Sequence, residues 1–286
     1  MSSDLTGPQT YFDPPPARWP LAVSAALLLM AVGGATWLNR GTAGPYILVV
    51  GATVLIVMLF DWFGALIGEG RAGLYSDQVE GAVRTGLAWF IFSEVVVFGA
   101  LFAALFYERF IAVPGLASGD THRLLWPAFT GGWPASGPGL DGTFSSMKPW
   151  SIPLLNTVML LSSGVAITLA NRALARGNRG RLIALVSTTV VLGLLFLRMQ
   201  ASEYYHAYTA LNLTLATGAY GATFFILTGL HGVHVAIGTG FMIVMLSRSV
   251  RGDFTAKHHL GLQAATWYWH FVGIVWLILF VLVYCL

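Results

Sequence analysis

The chain has 286 residues, of which 56% are hydrophobic and 9% charged, with 15 Lys/Arg against 12 Asp/Glu and a formal net charge of +3. A soluble domain carries about 25% charged residues to cover its surface, so a water-soluble globule of this length is excluded. Long continuous apolar runs without dyad alternation leave an integral membrane protein made of helices rather than barrel strands.

A spanning helix takes about 20 apolar residues. The N-terminal stretch MSSDLTGPQTYFDPPPARWP is polar and Pro-rich, with no positive n-region before an apolar one, and reads as an extramembrane arm over residues 1–19. Apolar runs follow at 20–38 and, after the turn-rich NRGTAG, at 45–67. A polar connector at 68–85 precedes the third run, 86–110. Residues 111–151, rich in Gly, Pro and Trp, are expected to form a long extramembrane loop over the membrane surface. The fourth run is 152–170 and the fifth 182–197, joined by the basic NRALARGNRGR. The sixth, 217–246, is roughly 45 Å of helix and must tilt or project from the bilayer. The seventh runs from 264 to the C-terminus, giving seven spans. The N-terminal arm and the even connectors hold ten of the 15 Lys/Arg, which predicts a cytoplasmic N-terminus and an outer C-terminus. The basic excess is read as side chains at the membrane edge, not as a nucleic-acid surface.

The only thiol is Cys285, so an internal disulfide, a dinuclear copper site and a Cys-ligated cluster are excluded within this chain. Ionisable residues inside a span are costly, and few occur. They are Asp61, Glu94 in the third span, His231 and His234 near the middle of the sixth, and His270 in the seventh. Glu94 reads either as a proton carrier or as a buried carboxyl bonded to another helix, and the lack of a second acid at its depth favours structure. His231 and His234, three residues apart, cannot supply opposite axial ligands to a haem, so interhelical hydrogen bonding is expected, with Glu94 the candidate partner. Gly229, Gly232, Gly238 and Gly240 around them predict a closely packed inner helix. His258 and His259 lie in a polar connector and are not read as a metal site. The last lysine, Lys257, precedes the seventh span, which rules out a Schiff base there.

The strings RTGLAWFIFSEVVVF, PLLNTVMLLSSGVAIT, QASEYY, YGATFFILTGLHGVHVAIGT and HHLGLQAATWYWHFVGIVW closely resemble cytochrome c oxidase subunit III, in that family's order and spacing. The resemblance implies an all-α membrane fold of seven helices. Spans 1 and 2 (20–67) would form a two-helix bundle and spans 3–7 (86–286) a five-helix bundle, with a V-shaped cleft for phospholipid between them. It implies a noncatalytic subunit of a proton-pumping aa3-type cytochrome c oxidase in aerobic respiration. The chain would contact subunit I chiefly and share a complex with subunit II, while haem and copper reside in those partners and none in this chain. Support of proton uptake, protection during turnover and residence in a bacterial-type inner membrane or equivalent follow from the same resemblance. It places a buried carboxyl at Glu94 near His234, and makes Trp62, Arg84 and His270 candidates for the lipid cleft or headgroups.

The chain departs from the family where Trp62-Phe63-Gly64-Ala65-Leu66-Ile67-Gly68-Glu69 replaces a more charged stretch, and where Gln263 and Gly273 replace acids. Accessory subunits of quinol oxidases or nitric oxide reductases are an alternative, but usually lack the first two spans. A freestanding transporter is a remoter one, since no internal repeat or Pro-interrupted pair of spans is present.

Overall fold

Small residues fall where the backbones of the first two helices meet, and this makes them a hairpin. In the computed structural model, which describes residues 19–72, 77–140, 143–255 and 259–286, α1 (Trp19–Leu38) turns into α2 (Gly44–Arg71). Pro45 starts α2, where its missing N–H costs nothing. A Cβ on Gly33 would lie 2.5 Å from the Leu48 backbone nitrogen, and one on Gly44 would strike the backbone of Trp37. Without a hydrophobic drive between helices in lipid, such close approach is what dispersion requires. Trp19 Nε1 donates to Asp61 Oδ2 at 2.8 Å, so this acid of the second helix has a partner on the first.

The chain divides into two compact units, one ending at Val83 and the other beginning at Arg84. The second unit contains most of α3 (Asp77–Tyr107), which continues through a π-helical segment (Glu108–Ala112) into α4 (Val113–Leu116). After the short α5 (Gly119–Leu125) come four long helices: α6 (Ile152–Ala175), α7 (Arg179–Ala210), α8 (Ala219–Arg251) and α9 (Leu260–Leu279). A second π-helical segment, Phe280–Cys285, extends α9. Helix α6 packs on α7, α7 on α8, α8 on α9, and α9 returns to α6. Trp269, Trp276, Phe196, Phe224, Met242 and Leu262 fill the space they enclose. Seven helices are long and apolar enough to cross a membrane, and no strand occurs among the described residues.

Helix α3 meets this ring through large side chains. Phe98, 2% exposed, sets its ring against those of His234 and Phe271, and Phe90 stacks on Tyr268. Only 11% of the apolar window of this helix is buried, against half of that of α9, so most of its apolar surface awaits lipid or another protein.

Hydropathy alone makes several spans shorter than they are. The third begins at Asp77 rather than near residue 86, because Gln78, Glu80 and Arg84 lower the apolar average without breaking the helix. Much of the expected 68–85 connector is therefore helical, as is the start of the 111–151 loop. The fifth continues thirteen residues past Leu197, about 20 Å, to Ala210. The expected N-terminal arm up to Arg18, together with Lys257 and His258, lies outside the described residues.

The remainder of the long loop docks on the end of the bundle. Ser136 and Ala135 carbonyls accept from the N–H groups of Ala219 and Tyr220 at 2.9 and 3.1 Å, giving the first turn of α8 partners it cannot find within the helix. Trp133 and Phe144 pack their rings on Tyr220. At the other end of the bundle, Asn178 caps α7 by accepting from Arg181 N at 3.0 Å. The Arg179 guanidinium donates to the Val250 carbonyl, complementing the C-terminal end of α8.

Candidate functional site

Serine and threonine in the apolar helices turn their hydroxyls back on their own backbone, and this prepares them as acceptors. Ser163 donates to Leu160 O, Thr157 to Pro153 O, Thr266 to Leu262 O and Thr228 to Phe224 O. With its one proton committed, each oxygen offers lone pairs across a helix interface. Trp269 Nε1 donates to Ser163 Oγ and Trp276 Nε1 to Thr157 Oγ1, both at 2.9 Å. Asn171 Nδ2 donates to Thr266 Oγ1 at 2.8 Å, and the Tyr204 hydroxyl lies 2.7 Å from Thr228 Oγ1. Every contact joins two helices of the ring.

Glu94 and His234 are brought together by α3 and α8. Glu94 Oε2 lies 2.8 Å from His234 Nε2, with the side chains 20% and 12% exposed. His234 Nδ1 is 2.7 Å from the Leu230 carbonyl, which can only accept, so Nδ1 carries a hydrogen. Nε2 then either donates to a carboxylate or accepts from the carboxylic acid, and in both arrangements one proton lies on the Nε2···Oε2 line. Rings of Phe98 and Tyr268 flank the imidazole, and the Tyr268 hydroxyl donates to the His234 carbonyl at 3.3 Å.

His231 is not part of this pair. Three residues along an α-helix turn it about 60° away from His234, into the ring interior, where it is fully buried. Its imidazole stacks on Trp276 with centroids 5.2 Å apart, and Phe196 meets it edge-on at 5.8 Å. Among the described residues neither ring nitrogen has a hydrogen-bond partner, and aromatic packing takes the place of the interhelical bond expected for this residue. Among the described residues, no three of His, Cys, Asp and Glu come together as a metal would require.

His270 faces outward instead. Its Nε2 lies 3.0 Å from Thr168 Oγ1, whose own proton goes to Gly164 O, so the ring N–H donates. The two residues line an apolar furrow of about 360 Å³ between α6 and α9, which Gly164, Trp269, Gly273 and Arg172 also border. Trp62 is 36% exposed on α2 with its ring stacked on Phe63, and Arg84 is exposed near the start of α3.

Sequence reasoning passed over Glu203. Ending the fifth span near Leu197 left the QASEYY string in a connector, whereas α7 carries it into the bundle and buries Glu203 completely. The signal available was the i, i+3, i+7 placement of Gln200, Glu203 and Ala207, all buried on one helical face.

Comparison with known protein families matches residues 11–286 to cytochrome c oxidase subunit III. Similar curated proteins include cytochrome c oxidase subunit 3 of Squalus acanthias and of Danio rerio, each 39% identical over 270 residues, and that of Osphranter robustus at 37%. Each alignment covers 94% of this chain and 94% of the relative. The match runs through the hairpin, the Glu94–His234 pair and the aromatic ring interior alike, and the chain belongs to the cytochrome c oxidase subunit III family.

Proposed function

We propose that this chain is the noncatalytic third subunit of a proton-pumping aa3-type cytochrome c oxidase, stabilising subunit I and supporting its proton uptake. The observation that carries this reading is the family match along nearly the whole chain, first two helices included. The interior supports it, because its polar groups largely join helix to helix: Glu94 to His234, Trp269 to Ser163 and Trp276 to Thr157. In this family haem and copper sit in other subunits, so electron transfer belongs to the partners and rigidity to this chain.

The surface suits that role. Trp89, Phe92, Val95, Val96 and Phe106 of α3 are 51–67% exposed, a face that needs apolar cover. Subunit I is its partner in this reading, with subunit II in the same complex. In this reading the chain also holds structural phospholipid, with Trp62, Arg84 and His270 as the candidates for lipid or headgroup contact. Glu94, His231 and His234 act as structural groups. The membrane is a bacterial-type inner membrane or its equivalent, with the N-terminus on the cytoplasmic side.

Purification from native membranes through a tag on this chain tests the reading. A haem-copper subunit I with the spectrum of two a-type haems should copurify in equal amount, and its absence would remove the proposal.

A further inference from the structure

Glu203 is the most unusual side chain in the bundle. It is 0% exposed, and neither carboxyl oxygen has a partner at hydrogen-bond distance among the described residues. The ionisable groups around it are tyrosines: Tyr204, Tyr220 and Tyr284. Two of these hydroxyls are engaged elsewhere, Tyr204 with Thr228 and Tyr220 with the Met147 backbone. Tyr284 is turned toward Glu203 itself. Its hydroxyl interacts with both Glu203 and Gln200 but stands at full hydrogen-bond geometry to no group among the described residues.

The polar atoms left over are not scattered. Gln200 sits one turn before Glu203 on the same face of α7, 5% exposed, and its Nε2 has no partner. Its Oε1 receives only a long contact, 3.5 Å, from Asn156 Nδ2 of α6, and Asn156 Oδ1 is also unpartnered. Asn156, Gln200, Glu203 and Tyr284 thus bring to one place two unpaired carboxyl oxygens, an amide donor, an amide acceptor and a hydroxyl. Buried polar groups are almost always hydrogen-bonded, and facing groups separated by slightly more than a direct bond are the geometry that water bridges. An internal water needs two to four polar partners, and this cluster supplies them.

We propose that Glu203, Gln200 and Tyr284, with Asn156 at the edge, form an internal water-binding site in which Glu203 is held as the neutral carboxylic acid. A carboxylate enclosed by apolar rings and tyrosines, with no cation beside it among the described residues, would be far less stable than the acid. The acid form donates one proton to the bound water and accepts from Tyr284 or from water on its other oxygen. Gln200 donates to the same water, fixing its orientation, and the aromatic wall of Phe224 and Trp276, whose rings pack on Tyr284, keeps the site closed. Water is the ligand. The chain then holds, besides the Glu94–His234 pair, a buried carboxyl with no imidazole as its partner.

The test uses the intact oxidase complex purified from membranes. Infrared spectra in H2O and D2O should contain a carboxylic C=O stretching band, sensitive to exchange, that disappears in Glu203→Gln and persists in Glu94→Gln. Tyr284→Phe should shift that band and leave its area unchanged. Loss of carboxylate bands instead, or no change in Glu203→Gln, would overturn the neutral acid. A high-resolution cryo-electron microscopy map of the wild-type complex should show ordered water density between the Glu203 carboxyl, Gln200 and the Tyr284 hydroxyl. Direct contact between Glu203 and Tyr284 with no such density would overturn the water site. Should Glu203→Gln fail to assemble, the wild-type map and Tyr284→Phe decide.

Discussion

Glu94 Oε2 and His234 Nε2 stand 2.8 Å apart although 140 residues separate them, and this bond ties α3 to the helical ring. Because Nδ1 is committed to Leu230 O, the pair distinguishes its own two protonation arrangements by mutation. In the neutral arrangement a carboxylic O–H donates to Nε2, and the amide of Glu94→Gln can donate in its place. Glu94→Gln should then lower stability by under about 1 kcal/mol, while Glu94→Ala costs about 1–3 kcal/mol by leaving Nε2 unpaired. In an ion pair Glu94→Gln costs about 1–3 kcal/mol as well, since an amide cannot neutralise an imidazolium, and the gap between the two variants narrows. Thermal dissociation of this subunit from the detergent-solubilised complex measures the gap, and the haem spectrum should be unchanged in both variants.

Trp269 occupies a slot cut by two glycines. A Cβ on Gly193 of α7 would fall 2.9 Å from its indole and 2.8 Å from Thr239 Oγ1, and one on Gly238 of α8 would fall 3.0 Å from the same indole. Gly232 and Gly240, on the same helix as Gly238, have nothing within 4 Å. Gly193→Val and Gly238→Val should each destabilise by about 1–3 kcal/mol through overpacking. Gly232→Ala should be neutral or stabilising by up to about 1 kcal/mol, because Ala is the better helix former. Melting followed by circular dichroism separates the classes, and equal losses at Gly232 and Gly238 would refute the slot.

That contrast also shows how far the sequence could be read. The glycines around the sixth-span histidines marked a packed helix, but only contact with Trp269 tells Gly238 from Gly232 and Gly240. The spacing of His231 and His234 suggested one shared role, yet a turn of about 60° sends one ring into the aromatic core and the other to Glu94. Span number was legible because seven apolar runs are set apart by polar or turn-rich connectors. Span ends were not: Arg198, Gln200 and Glu203 lower the apolar average while tertiary burial keeps the helix going, and that is where Glu203 was hidden. Ser163 and Thr157 look like minor polar interruptions in an apolar run until the tryptophans of α9 arrive from more than 100 residues away.

The Trp276–Thr157 bond allows a measurement of what such a contact contributes. Trp276 is fully buried and its indole N–H has Thr157 Oγ1 as its acceptor at 2.9 Å. Thr157→Val keeps the shape and strands that N–H, so it should cost about 1–3 kcal/mol. Trp276→Phe alone should cost more, since it also opens space against His231 and Phe196. In the double variant the stranded donor is gone, and the total should fall short of the sum by about 1 kcal/mol. Strict additivity in a thermal double-mutant cycle would show that the bond contributes nothing.

The junction between the long loop and α8 rests on Gly218. Its φ of +94° with ψ of −150° is a conformation essentially confined to glycine, and a Cβ there would collide with the Ser136 carbonyl. That carbonyl and its neighbour at Ala135 accept from the Ala219 and Tyr220 amides, so any side chain at 218 attacks both the backbone conformation and the cap. Gly218→Ala should cost about 1–3 kcal/mol from the backbone alone. The effect should be local: the collision lies at the loop end of α8, away from Glu94 and His234, whose bond depends on the middle of the helix. Hydrogen exchange of the assembled complex checks this. Amides of 219 and 220 should lose protection in Gly218→Ala while those of 231–239 keep it, and unchanged exchange at 219 and 220 would show that the loop does not cap the helix.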